Sequence, residues 1–181
     1  MAELQAGWRW CRHCQVVFYQ PDGNGVCPGR AGHDATGSGE YWLWTHGDGK
    51  LRSDVQPNWR WCRRCNALAF SQLGGRCAAT GAQHDFSASG KYCLLHNADL
   101  KPSEQKVHQR GWRWCNKCQA LFYCELGAGA CPTGGGHDGG GSGKYQLTSG
   151  SNSKDIGEVL KSMFTAEPWE DMAHTIRRGF S

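Results

Sequence analysis

The sequence has few aliphatic residues and no long hydrophobic run. Only 26 of its 181 residues are Leu, Ile, Val or Phe, about 14%. A core of that size is too thin to fold a chain of this length unaided. A membrane-spanning helix needs about 18 consecutive apolar residues, and the sequence has no such run. The formal net charge is only +4, so the composition does not match a highly charged disordered chain either.

The first ten residues contain no basic segment followed by an apolar core. A cleaved secretory signal peptide is therefore not expected. The sequence predicts a cytoplasmic protein by default, and it leaves open export by a route that reads no N-terminal signal.

The residues in excess are Cys, Trp and Gly, with 11, nine and 26 copies, and they occur in a repeat. The string W-R-W-C-x-x-C begins at Trp8, Trp59 and Trp112, at intervals of 51 and 53 residues. Each copy continues with a third Cys, a His-Asp pair and a closing S-G-[EK]-Y-x-L segment. The sequence therefore predicts three modules, residues 1–50, 51–103 and 104–150, followed by a tail of residues 151–181.

Each module supplies three cysteines and one histidine at matched positions. A disulfide framework does not account for them, because three cysteines cannot all pair within a module and the repeated histidine would have no role. A tetrahedral Cys3His zinc site accounts for both residue types. The predicted ligands of three structural zinc ions are Cys11, Cys14, Cys27 and His33; Cys62, Cys65, Cys77 and His84; and Cys115, Cys118, Cys131 and His137.

Zinc also compensates for the thin core, since a structural zinc ion supplies roughly 10 to 16 kcal/mol of apparent binding free energy that becomes folding free energy. Cys93 and Cys124 have no counterpart in the other copies and are interpreted as ordinary thiols. The remaining histidines, which also lack counterparts, are expected at the surface: His13, His46, His96, His108 and His174. The Asp after each histidine ligand has two open roles, orienting the imidazole or capping the adjoining turn.

Alternation along strands predicts which side chains of the modules point inward. The two Trp residues of W-R-W share one face, and so do the Tyr and Leu of Y-x-L. We expect those Tyr and Leu residues to be buried. The residue between them is Trp42, Cys93 or Gln146, and this variability predicts an outward position.

The tail has apolar residues at helical spacing. They predict two short amphipathic helices, one over residues 154–165 and one beginning at Pro168. These helices either brace the β modules or dock into a larger assembly. The candidate partner-binding residues are Ile156, Leu160, Met163, Phe164, Trp169, Met172 and Ile176.

The string G-W-R-W-C-x-K-C-x-x-L-F-Y at Gly111 to Tyr123, followed by C-P-x-G-G-x-H-D and G-S-G-x-Y-x-L, resembles a repeat module of uncharacterised bacterial proteins. The resemblance covers residues 7–147 and implies a zinc-ribbon-like β module used in tandem. It brings no assigned activity. The middle copy departs from the pattern at Ala78, where the other copies have Pro, and at Gln83, where they have Gly.

Together these features predict a mostly β protein of three zinc-ribbon-like Cys3His repeats with a short helical C-terminal tail. The repeats are either closed around a pseudo-threefold axis or strung in a row. The expected function is binding or scaffolding through protein–protein assembly. Catalysis is not expected, because four protein ligands fill each zinc sphere and leave no open position.

Two other functions stay open at this stage. Exposed Trp42, Trp44 or the Trp residues beside the Cys-x-x-Cys segments could stack on sugars in glycan or cell-surface binding. The Arg and Trp residues clustered at those segments suit single-stranded nucleic acid. However, three zinc–thiolate centres would reduce the formal charge from +4 to about +1, which argues against nucleic acid.

Overall fold

The structure is a computed structural model that describes residues 3–46 and 51–150. Each repeat contributes a long first strand, a short second strand after the Cys-x-x-Cys turn, and a third strand formed by the Y-x-L segment. The strands are β1 (Glu3–Trp10), β2 (Val17–Tyr19), β3 (Tyr41–Thr45), β4 (Val55–Trp61), β5 (Leu68–Phe70), β6 (Tyr92–His96), β7 (His108–Trp114), β8 (Leu121–Tyr123) and β9 (Tyr145–Ser149). A one-turn helix, α1 (Pro102–Gln105), precedes β7. The predicted helical tail lies outside the described residues.

The three third strands pair with one another in a ring. The end of β3 pairs with the start of β6, the end of β6 pairs with the start of β9, and the end of β9 pairs with the start of β3, all antiparallel. The first strand of each repeat pairs with the third strand and the second strand of the same repeat. The sheet is therefore nearly closed like a barrel, and the repeats are arranged around a pseudo-threefold axis instead of in a row.

One hydrophobic cluster fills the middle of this ring. It contains the first Trp of each W-R-W string together with the Tyr and Leu of each third strand. The predicted inward positions are confirmed, with Tyr41, Tyr92 and Tyr145 each at most 5% exposed. Within the cluster the aromatic pairs cross between repeats at ring-centroid distances of 5.1 to 5.2 Å: Trp8 with Tyr92, Trp59 with Tyr145, and Trp112 with Tyr41.

The outward prediction for the middle residue of Y-x-L is wrong for Cys93 and Gln146, which are both buried. Cys93 packs in a second cluster with Trp44 and with apolar residues of the connection between β6 and β7, including Leu100. That connection covers a sheet face which strand alternation alone would leave to solvent. Gln146 donates a hydrogen bond to the carbonyl of Ala98 in the same connection.

His108 is also buried, which corrects the expectation that it lies at the surface. It occupies the position in β7 that Leu4 and Val55 hold in the first strands of the other repeats, and those two residues pack on the cluster around Cys93. Its Nδ1 lies 3.3 Å from the hydroxyl of Thr148. This first-strand position is half-buried when Leu4 or Val55 occupies it and buried when His108 does.

Candidate metal centres

The structure brings the predicted ligands together in three clusters. In each cluster the four ligand atoms all lie within 4.8 Å of one another. In repeat 1 the sulfurs of Cys11 and Cys27 are 4.0 Å apart, and Cys14 Sγ is 3.3 Å from His33 Nδ1. In repeat 2 the corresponding distances are 3.8 Å for Cys62 and Cys77, and 3.6 Å for Cys65 and His84. In repeat 3, Cys118 Sγ lies 3.3 Å from His137 Nδ1.

The Cys-x-x-Cys turn between the first and second strands positions two ligands of each cluster. In repeat 1 the amide of Gln15 donates to the carbonyl of Cys11, and the amide of Cys11 donates to the carbonyl of Val16. Closing this tight turn requires a left-handed conformation at the residue after the second cysteine. That residue is Gln15, Asn66 or Gln119, with φ of 67°, 62° and 70°.

The Asp of each His-Asp pair forms hydrogen bonds beside the cluster. The amide of the Asp donates to the sulfur of the first cysteine at 3.4 Å in all three repeats. Its carboxylate accepts a hydrogen bond from the backbone amide two residues later. Of the two roles left open by the sequence, the carboxylates of Asp34, Asp85 and Asp138 therefore cap the adjoining turn.

The histidines connect neighbouring repeats. Nδ1 faces the sulfurs, and Nε2 of His33 and of His84 lies 2.9 Å and 3.0 Å from the carbonyl oxygens of Cys65 and Cys118 in the next repeat. An imidazole that donates from Nε2 presents the lone pair of Nδ1 to a metal. His137 Nε2 has no hydrogen-bond partner among the described residues, so the contact between repeats 3 and 1 lacks this bond.

A glycine two residues before the third cysteine lets the repeats approach closely. A β-carbon at Gly25 would lie 2.4 Å from the carbonyl oxygen of Cys65, and one at Gly129 would lie 2.3 Å from that of Cys14. Gly75 meets Cys118 in the same way. Since all nine ligand cysteines also belong to one hydrophobic cluster, the three centres lie side by side around the axis.

The cysteines are poised to bind a cation. Hydrogen bonds from Cys65 and Cys77 lower the pKa of Cys62 to about 2, and those from Cys115 and Cys118 lower the pKa of Cys131 to about 2. The same mutual interactions raise the pKa of Cys65. Each cluster therefore concentrates thiolate charge that a bound cation would neutralise.

The donor set fits zinc. A tetrahedron with Zn–S bonds of about 2.3 Å has edges of about 3.8 Å, close to the sulfur–sulfur distances of 3.8 and 4.0 Å. Three thiolates and an imidazole, with no carboxylate, suit a borderline-soft metal and not Mg²⁺ or Ca²⁺. None of the eleven cysteines, all of which lie in the described part of the chain, forms a disulfide. The clusters are compatible with three structural zinc ions.

The second Trp of each W-R-W string lies beside the metal ligands, and in repeats 1 and 3 its indole supports the Cys-x-x-Cys turn. Trp10 Nε1 donates to Gln15 Oε1 at 3.1 Å, and Trp114 Nε1 donates to Gln119 Oε1 at 2.8 Å. In repeat 2 the shorter Asn66 donates instead to backbone carbonyls of repeat 1, including that of Tyr19.

The backbone amide of the same Trp residues donates to the serine hydroxyl of the S-G segment at 2.7 to 2.8 Å. Sequence reasoning missed these supporting roles, although the serine and the glycine before the third cysteine recur in register.

Cys93 and Cys124 lie outside the three clusters, as expected from their lack of counterparts. The basic residues beside the Cys-x-x-Cys turns are partly neutralised within their own repeat. Arg12 lies 4.0 Å from Asp34, and Arg64 lies 3.2 Å from Asp85.

Comparisons with protein-family models, with curated proteins and with solved structures found no match to this chain. The Cys3His clusters recur three times along the chain itself, and the resemblance to bacterial repeat modules stays a prediction. Within the described ranges, no helix is long and apolar enough to span a bilayer.

Proposed function

We propose that this protein is a zinc-stabilised, non-catalytic binding or scaffolding module that acts through protein–protein assembly. The observation that carries the proposal is the composition of the three clusters. Each cluster has four protein side chains as ligands, and the sulfurs are buried. A catalytic zinc keeps one coordination position for water or substrate, whereas a structural zinc has four protein ligands.

The proposed zinc ions stabilise a fold whose sequence is poor in aliphatic residues. The nine ligand cysteines form most of one of the main hydrophobic clusters. Without metal that cluster would bring thiolate charges together in the interior, which is costly unless a cation compensates them. The proposed role of zinc is therefore to stabilise the folded state. The folded ring then serves as a rigid platform for recognition.

The C-terminal tail is the proposed attachment to a larger assembly. Its apolar residues, from Ile156 to Ile176, lie outside the described residues, so this step rests on the amphipathic pattern of the sequence alone. Short amphipathic helices gain stability when they dock on a surface. A protein partner with an apolar groove provides such a surface.

Two alternatives receive less support. Nucleic-acid binding needs free basic groups at the Cys-x-x-Cys turns, but Arg12 and Arg64 face carboxylates of their own repeats. Glycan stacking was expected at exposed Trp residues, but Trp44 and the first Trp of each W-R-W string are buried, and Trp42 and the second Trp of each string are half-buried.

Native mass spectrometry of the protein from its native source tests the proposal. We expect three zinc ions per chain and a co-purifying protein that is lost when residues 152–181 are deleted. As a matched control, Leu160→Asp with Phe164→Asp should lose the partner, and Ser162→Asp, between them in sequence, should keep it. A solitary chain with three zinc ions would contradict the assembly role, and zero or one zinc ion would contradict the metal assignment.

A further inference from the structure

A groove of about 450 Å³ lies where repeats 1 and 2 meet. Aromatic side chains of both repeats line it, with the rings of Tyr19 and Trp61 6.1 Å apart. At its base the hydroxyl of Tyr92 donates to Gln5 Oε1, and Gln5 Nε2 donates to the hydroxyl of Tyr19 at 3.2 Å. These bonds hold the lining in place before any ligand arrives, which reduces the entropic cost of binding.

The equivalent space between repeats 2 and 3 is filled. Thr45, which lines the groove, corresponds to His96 in repeat 2. The His96 ring lies 5.1 Å from that of Tyr145 and sits so close to Gly143 that a β-carbon there would overlap its Nε2. Gly90 of repeat 2 corresponds to Gly143 of repeat 3. The three atoms nearest to a β-carbon built at Gly90 all belong to Tyr92, and none belongs to Thr45. The smaller Thr45 therefore leaves open the space that His96 occupies.

Charge also distinguishes this groove from its counterparts. Two exposed carboxylates, Glu3 and Asp22, are among its lining residues. Among the described residues, neither has an Arg, Lys or His nitrogen within 4.0 Å. The corresponding pairs are Asp54 with Leu73 and Val107 with Leu126, and Asp54 is paired with Arg52 at 2.6 Å. Of the three equivalent positions between repeats in the described part of the chain, only the one between repeats 1 and 2 thus combines two acidic side chains with aromatic walls.

We propose that this groove binds an arginine side chain from a basic segment of a protein partner. A guanidinium is attracted to aromatic faces and forms charge-assisted hydrogen bonds with carboxylates, and it is less strongly hydrated than an ammonium group. The inference rests on the proposed function in that it assumes a protein partner. It does not involve the tail, so the two can fail separately.

The test uses the full-length, zinc-loaded protein labelled with ¹⁵N, and the probe peptide acetyl-Gly-Arg-Gly-amide. NMR follows the indole N–H signals, with the Trp61 signal assigned through Trp61→Phe. We expect the Trp61 signal to shift and saturate with the arginine peptide. The same peptide with citrulline, which is neutral and of nearly the same shape, should leave it unmoved. Absence of a saturable Trp61 shift, or an equal response to citrulline, would overturn the proposal.

Variants locate the binding in the groove. The double variant Glu3→Gln with Asp22→Asn should lower the affinity for the arginine peptide by about fivefold or more. Asp54→Asn removes a carboxylate from the filled space and should leave that affinity unchanged. Thr45→His should block binding by filling the groove as His96 does. If Thr45→His loses zinc or folded structure, the exposed Glu3 and Asp22 variants decide, and unchanged affinity in them would refute the inference.

A neutral sugar provides the contrasting probe. If N-acetylglucosamine shifts the Trp61 signal and the arginine peptide does not, the groove is a sugar site and the proposal is wrong. The tail-dependent co-purification is measured separately and would be unaffected by that outcome.

Discussion

His108 is a buried histidine that none of the metal clusters uses. Burial lowers its pKa to about 4, although the nearby Glu104 carboxylate partly opposes that shift. In the unfolded chain the pKa would be about 6.5, so between pH 6.5 and 4 the unfolded state binds a proton that the folded state does not. The folded state therefore loses stability as the pH falls through this range.

We expect His108→Leu to relieve this loss, because Leu4 shows that a leucine fits the equivalent position in repeat 1. The free energy of unfolding of the variant relative to the parent should rise by up to about 3 kcal/mol as the pH falls from 6.5 to 4. Urea unfolding of both zinc-loaded proteins at pH 7 and pH 5 measures the difference. Protonation of the metal ligands affects both proteins equally and cancels in the comparison. A difference in the free energy of unfolding that does not change with pH would therefore contradict the pKa assignment.

Gly25 is the residue at which the close approach between repeats 1 and 2 is most easily tested. Its φ is +53° and a β-carbon would collide with the backbone carbonyl of Cys65. Gly135 has φ +64°, close to that of Gly25, and a β-carbon there would have nothing within 4 Å, so it shares the unfavourable φ without the collision. We expect Gly25→Ala to destabilise the protein by at least about 1 kcal/mol more than Gly135→Ala. Equal melting temperatures for the two variants would show that the contact carries no energy.

At the scale of the structural element, the Cys-x-x-Cys turn and the loop that supplies the third cysteine form one candidate metal site. Cys27→Ser should reduce the zinc content below three ions per chain and lower the melting temperature, because a neutral hydroxyl is a poor ligand for zinc. Cys124→Ser is the matched control, since Cys124 lies outside the clusters. Elemental analysis gives the count, and three zinc ions in Cys27→Ser would remove Cys27 from the ligand set.

The elements differ in how far the sequence could predict them. The ligands and inward residues of the strands were predictable because their spacing recurs three times. The burial of Cys93 and Gln146 was not, since it depends on the connection between β6 and β7, which differs in sequence and length from the connection between β3 and β4. Variability between copies was interpreted as exposure, whereas it reflects the different chain segments that cover each copy.

At the scale of the whole molecule, the repeats are joined by a closed ring of backbone hydrogen bonds. The residue that ends the second strand of one repeat donates to the residue after the Cys-x-x-Cys turn of another. The three bonds are Tyr19 to Asn66, Phe70 to Gln119 and Tyr123 to Gln15, at 2.9 to 3.0 Å. The closed arrangement could not be predicted from spacing, because a row of repeats would have the same sequence pattern.

This ring predicts that the three metal ions are lost together. Removing one ion frees a histidine and a turn that also support the next repeat, so the remaining sites weaken. During titration with a strong chelator, the zinc released, measured with a chromogenic indicator, should follow the loss of near-ultraviolet circular dichroism in one transition. Three separate steps of zinc release, with folded structure kept after the first, would show that the repeats are independent.

The pairing of the third strands also implies that the order of the repeats along the chain can change while the sheet stays the same. Glu3 pairs with Thr45 at one end of β3, and the amide of Gly150 donates to the carbonyl of Glu40 just before the other end. Glu3 and Gly150 are therefore separated by the length of one five-residue strand, about 16 Å. A circular permutant that begins with repeat 2 and ends with repeat 1 keeps every pairing in the ring, provided that a linker spans this distance. The pairing of the strands therefore does not require that the three repeats follow one another along the chain in this order.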